Sequence, residues 1–166
     1  MNVVLIGYRG TGKSTVGKVV ASRLGRTVVS TDAEVIKRAG RSIPDIVAQD
    51  GWEHFRDLES QVCRELAGRD GLVIDTGGGA ILRQENVERL KRNGVLFWLT
   101  ASVETIARRI GRDSQRPSLT GTKSFVDEIE EVLRERMPLY EAAADHIIPT
   151  DGQSIMQVAD EILARL

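Results

Sequence analysis

Residues Gly7-Tyr8-Arg9-Gly10-Thr11-Gly12-Lys13-Ser14 fit G-x-x-x-x-G-K-[ST] at every fixed position. The chemistry of that pattern is phosphate binding. Glycines let backbone N–H groups turn inward around phosphate oxygens, the lysine adds a point charge for the β- and γ-phosphates, and the serine hydroxyl can ligate Mg²⁺. Gly10, Thr11, Gly12, Lys13, Ser14 and Thr15 are therefore the expected phosphate site.

Other groups could act on a phosphate so held. Asp32 follows a short apolar run, where a carboxylate could hold a substrate hydroxyl and take its proton during phosphoryl transfer. Thr31-Asp32-Ala33-Glu34 is equally compatible with Asp32 capping a helix that starts at Ala33. Leu72-Val73-Ile74-Asp75 is an apolar run ending in an acid, the pattern of a Walker B segment whose aspartate binds Mg²⁺. Gly77-Gly78-Gly79 follows at once, and three glycines allow close backbone approach and leave N–H groups for an anion. Arginines recur at Arg56, Arg108, Arg109, Arg112, Arg116 and Arg136. Guanidinium groups suit bidentate recognition of carboxylate and phosphate, although most surface arginines are simply solvated. His54 and His146 have no metal-ligand spacing, and His146 reads as structural.

These residues need a scaffold that gathers them. Five short apolar runs stand out: 2–6, Thr27 to Ser30, Leu72 to Asp75, Val95 to Leu99, and His146 to Ile148. Helical patterns separate them, beginning with Val16, Val19, Val20 and Leu24 in the stretch from Lys13 to Leu24. Such alternation predicts an α/β fold, a parallel sheet covered by helices on both faces, with ligands at the carboxyl ends of the strands. Two segments are excursions from this core. In 33–67, Ser42-Ile43-Pro44-Asp45 reads as a helix start. Gly51 then breaks the pattern, and Trp52, Phe55, Leu58, Glu59, Val62 and Leu66 form a second helix with a mostly apolar face. Residues 111–124 are polar, with glycines near both ends and basic residues inside, the composition of a mobile lid that excludes water on closing.

The composition narrows the classes. At 166 residues the chain is expected to be one domain, 1–166, and long enough to bury a core. The formal net charge of −1 argues against a general nucleic-acid binder. One cysteine, Cys63, forms no intrachain disulfide framework and reads as a small core hydrophobe. The sequence opens on a strand pattern with no signal-peptide features, and no apolar stretch approaches membrane-spanning length. A cytoplasmic protein with no membrane association is the expectation.

Taken together, the phosphate loop, Thr31-Asp32, Gly40-Arg41-Ser42-Ile43, Phe55-Arg56, Gly77-Gly78-Gly79, Arg116-Pro117 and Arg136-Met137-Pro138-Leu139-Tyr140 resemble shikimate kinase over nearly the whole chain. The loop is shared by many kinases; the other motifs in combination are far more specific. The resemblance implies a nucleoside-monophosphate-kinase type of fold, a five-stranded parallel sheet with a substrate-binding excursion and a lid. It implies ATP-dependent phosphorylation of the 3-hydroxyl of shikimate, on the route to chorismate and the aromatic amino acids, with ATP and Mg²⁺ as cofactors and a monomeric state. By the same resemblance, Asp32 would hold shikimate hydroxyls and act as base. Arg56 and Arg136 would clamp the carboxylate beside Gly78 and Gly79. Arg116 would descend from the lid onto the transferring phosphate, Arg109 would stack on adenine, and Lys13 and Ser14 would serve ATP and Mg²⁺.

One position departs from the family pattern. The family usually has D-x-D at the end of the second strand, whereas this chain has Ser30-Thr31-Asp32. Asp75 stands where the family more often has a small or apolar residue, so Ser14 and Asp75, directly or through a water, are the expected metal ligands; the alternative is that Asp75 caps the triple-glycine turn or pairs with an arginine. The competing readings are another small-molecule P-loop kinase, such as a gluconate or nucleotide kinase, and a nucleotide-binding module with impaired catalysis. A GTP-binding switch would need a guanine-reading N-K-x-D motif, which the sequence lacks.

Overall fold

The computed structural model describes residues 1–111 and 124–166. Its strands are β1 (Asn2–Ile6), β2 (Thr27–Ser30), β3 (Leu72–Asp75), β4 (Gly94–Thr100) and β5 (His146–Pro149). All neighbouring strands pair in parallel, in the order β2-β3-β1-β4-β5. Every residue of β1 and β3 is buried. That is why both read as unbroken apolar runs rather than alternating ones: helices cover both faces.

The helices are α1 (Lys13–Leu24), α2 (Thr31–Ala39), α3 (Ile43–Ala67), α4 (Gln84–Arg92), α5 (Val103–Ile110), α6 (Phe125–Ala143) and α7 (Ile155–Ala164), with a short 3₁₀ turn at Ala80–Leu82. Alternate strand residues feed opposite layers. Val3, Leu5, Val73 and Phe97 pack with Val16 and Val20 of α1 and Val158 and Ile162 of α7. Val4, Ile6, Ile74 and Trp98 pack with Phe55 and Val62 of α3, Leu90 of α4 and Tyr140 of α6. Each fully buried side chain of this size contributes about 1.5–3 kcal/mol relative to exposure. Cys63 lies in the second layer, where burial pushes its thiol up to about 12, so it is a packing group and not a nucleophile. His146 stacks on Phe97 with ring centroids 5.1 Å apart, a structural role.

The local signals hold in detail. Ser42 caps α3, its hydroxyl accepting from Asp45 N at 3.2 Å. Gly51 breaks that helix with φ 86° and ψ 167°. At the second strand the structure separates two readings of Asp32. Helix α2 begins at Thr31, not Ala33, and its cap is Ser30, whose hydroxyl accepts from Ala33 N at 3.2 Å. Asp32 therefore is not the cap. The expected lid, 111–124, lies outside the described residues except at its ends. There Gly111 closes α5, and Ser124 caps α6 by accepting from Asp127 N at 3.4 Å. Arg112 and Arg116 lie outside the described residues with it.

Candidate active site

The carboxyl ends of β1, β2 and β3 converge on one pocket of about 270 Å³, lined by Gly10, Gly12, Lys13, Ser14, Asp32 and Asp75 among others. The loop after β1 wraps into the start of α1, with Gly10 at φ 83° and Gly12 at φ 94°, backbone that a side chain would strain. This turn points N–H groups and the positive end of α1 at the pocket, a ready anion site. Lys13 is only 7% exposed, and its ammonium donates to Gly7 O at 2.7 Å and Tyr8 O at 3.0 Å. The Ser14 hydroxyl donates to Asp75 Oδ2 at 2.6 Å. Burial holds the Asp75 carboxyl above the usual carboxylate range, opposed by the charge of Lys13 and by the Ser14 hydrogen bond. A hydroxyl and a carboxylate form an all-oxygen donor set, which suits a hard cation such as Mg²⁺.

The three glycines after β3 form the floor between this pocket and the next. Thr31 Oγ1 accepts from Gly77 N at 2.8 Å and fixes the turn to α2. Above Gly77 and Gly79 there is no room for side chains. A Cβ on Gly77 would lie 2.6 Å from Asp32 Oδ1 and 2.9 Å from Glu59 Oε2, and one on Gly79 would lie 2.4 Å from both terminal nitrogens of Arg56. A Cβ on Gly78 would stand 3.4 Å from Arg136 Nη1. The floor thus gathers Asp32, Arg56 and Arg136, three groups from α2, α3 and α6.

Beyond it opens a cavity of about 430 Å³, lined by Trp52, Arg56, Leu82, Val132 and Arg136 together with Glu131 and Glu135. Both arginines are about nine-tenths buried. Arg56 donates to Glu59 Oε1 at 2.9 Å and lies over the rings of Trp52 and Phe55, 5.4 Å and 5.1 Å from their centroids. Its charge is already matched. Arg136 is different: among the described residues no carboxylate pairs with it. It sits beside the Tyr140 phenol, which donates to Gly78 O and whose burial pushes its pKa up to about 12. A buried guanidinium without a counter-charge costs free energy that an anionic ligand can offset.

A third cluster lies at the far edge of the phosphate loop. Arg109 Nη1 donates to Gly10 O and Thr150 Oγ1, each at 3.3 Å, and so bridges α5, the loop and the segment after β5. Asp151 ties that segment to the start of α5, accepting from Ser102 N at 2.8 Å and from the Thr105 hydroxyl. These bonds hold its carboxyl below the usual carboxylate range, the Thr105 hydrogen bond most of all.

The structure thus brings Lys13, Ser14, Asp32, Asp75 and Gly78 to one pocket and Arg56 and Arg136 to its neighbour, with Gly79 against Arg56, Gly78 beside Arg136 and Arg109 at the outer edge of the loop. Sequence reasoning missed Glu59 as the partner of Arg56 and Trp52 as a wall of the second cavity. The signal was present: Glu59 is an acid three residues after an arginine, in an otherwise apolar helix face.

Comparison with known proteins converges on one family. The family model described as shikimate kinase matches residues 9–166. The chain is 46% identical over 167 residues to a shikimate kinase of Nitratidesulfovibrio vulgaris, covering 99% of this chain and 94% of that one. It is also 46% identical over 175 residues to a shikimate kinase of Syntrophus aciditrophicus, covering 99% and 90%. Among solved structures, a shikimate kinase from Acinetobacter baumannii in complex with shikimate superposes with a TM-score of 0.94 at 36% identity, covering 99% of this chain and 91% of that one.

Proposed function

This chain belongs to the shikimate kinase family, and we propose on that premise that it transfers the γ-phosphoryl group of ATP to the 3-hydroxyl of shikimate. The observation that carries the reading is Arg136: a buried guanidinium with no carboxylate partner among the described residues, facing a cavity one glycine floor away from a phosphate loop. It calls for an anionic acceptor.

In this reading the acid's carboxylate binds Arg136 and Arg56 above Gly78 and Gly79, which orients the ring toward the phosphate loop. Asp32, at the junction of the two pockets, holds the reacting hydroxyl and accepts its proton as the hydroxyl attacks phosphorus. Lys13 leaves the carbonyls of Gly7 and Tyr8 for the nucleotide and stabilises the charge on the transferring group, while Gly10, Thr11, Gly12 and Thr15 hold phosphate oxygens. Ser14 would help hold Mg²⁺, which would neutralise charge on the nucleotide's phosphates when bound. Arg109 flanks adenine. Arg116, outside the described residues, adds a second cation to the phosphoryl group from the lid. The chain works as one unit over 1–166, as a monomer in the cytoplasm.

A coupled assay for ADP with ATP, Mg²⁺ and a panel of shikimate, quinate, gluconate and nucleoside monophosphates tests this. Turnover with shikimate far above the rest is expected; preference for gluconate or a nucleotide would overturn it.

A further inference from the structure

The departure at the end of β2 has a counterpart one strand away. Ser30 and Asp75 are in-register neighbours at the carboxyl ends of β2 and β3. Ser30 has no charge, and its hydroxyl is used by the α2 cap. Asp75 is 7% exposed, faces the phosphate pocket, and accepts the Ser14 hydroxyl at 2.6 Å. A serine hydroxyl that donates its hydrogen bond to a carboxylate presents only lone pairs on its other side, the state a metal-ligating hydroxyl requires. Partners of this kind orient a ligand and raise its basicity. The nearby ammonium of Lys13 is held by Gly7 O and Tyr8 O.

We propose that Asp75 is the carboxylate that holds the nucleotide's divalent cation in this chain, acting with Ser14 in place of an acid at the end of β2. The inference rests on reading the loop as an ATP site. Asp75 accepts the hydrogen bond of the Ser14 hydroxyl and stays ionised, so it supplies the negative charge, while Ser14 supplies a neutral hydroxyl oxygen. Mg²⁺ keeps several waters and takes one or two carboxylates besides the substrate phosphates. No group of three or more His, Cys, Asp or Glu side chains placed to hold a metal ion occurs among the described residues, and such a site needs none.

The test is a Mn²⁺ titration of the full-length protein–ADP complex, read as loss of the free Mn²⁺ signal in electron paramagnetic resonance. It contains no shikimate and no turnover, so its failure is separable from failure of the acceptor assignment. Asp75→Asn keeps the shape of the side chain. It should raise the Kd for Mn²⁺ about tenfold or more, the range seen when such partners are lost, and leave metal-free ADP binding intact. Ser30→Asp in the Asp75→Asn background should recover part of the affinity, and Ser30→Ala alone should leave it unchanged. Mn²⁺ affinity within twofold of wild type in a folded Asp75→Asn protein would overturn the proposal. If that variant does not fold, loss of Mn²⁺ affinity in Ser30→Ala would overturn it instead, because the end of β2 would then hold the metal.

Discussion

The two pockets on either side of the glycine floor hold their cations in opposite ways. On the phosphate side Lys13 rests on two neutral carbonyls, Gly7 O and Tyr8 O. On the acid side Arg56 is locked to the buried carboxylate of Glu59 and wedged between aromatic rings and Gly79. Hydrogen bonds to carbonyls can be exchanged for bonds to an incoming phosphate, whereas breaking the Arg56–Glu59 pair strips a buried carboxylate of a cation. The difference suits the two tasks. In the proposed reaction, charge on the nucleotide side must follow the phosphoryl group, whereas the acid side must hold a fixed ring orientation. Arg136, with no carboxylate partner among the described residues, stands between these cases: it is fixed by burial but awaits its anion.

The sharpest way to break this contrast is to remove the two arginines separately. Each of Arg56→Ala and Arg136→Ala should weaken shikimate binding by about 2–5 kcal/mol and spare ADP binding, measured by calorimetry. Only Arg56→Ala should also destabilise the fold, by about 3–5 kcal/mol, because it leaves Glu59 buried without its cation. Adding Glu59→Gln should return part of that loss. If urea unfolding finds the two single variants equally stable, Arg56 and Glu59 are not a locked pair.

Lys13 tests the other pocket. Lys13→Met should lower kcat by about 10²–10³-fold, the range for losing one group that stabilises transition-state charge. The Kd for shikimate should not move. A variant that loses shikimate affinity instead of rate would mean that the two pockets share their cations and the contrast is false.

The smallest effect is expected at Ser30. Ser30→Ala removes the α2 cap and should cost about 1 kcal/mol of stability in thermal unfolding. A much larger loss would mean that Ser30 supports the glycine floor and not only the first turn of α2.

The phosphate pocket was legible because it is local. Eight consecutive residues form the loop, and the work is done by backbone N–H groups and adjacent side chains whose spacing is set by covalent geometry. The sheet was legible for a related reason: burial on both faces leaves each strand as a short apolar run, and helical periodicity marks the crossovers. The helix caps at Ser42 and the break at Gly51 were read from single residues, since caps and breaks depend on chemistry within a turn.

The acid pocket was not legible in this way. The resemblance pointed to Arg56 and Arg136, but their spacing carries no signal, because α3 and α6 meet only when both pack on the same face of the sheet. The role of Ser30, and not Asp32, as cap was ambiguous because several polar residues in a row can each end a strand or start a helix.

By itself, then, the sequence determined the phosphate loop, the strand and helix order and the family, all properties carried by neighbouring residues. Tertiary structure alone decided that Glu59 neutralises Arg56, that Arg136 remains without a carboxylate among the described residues, and that Asp75 takes the Ser14 hydroxyl across two strands. Pairings between charges distant in the chain depend on how layers stack and on which groups burial strips of water, and neither is written in local spacing.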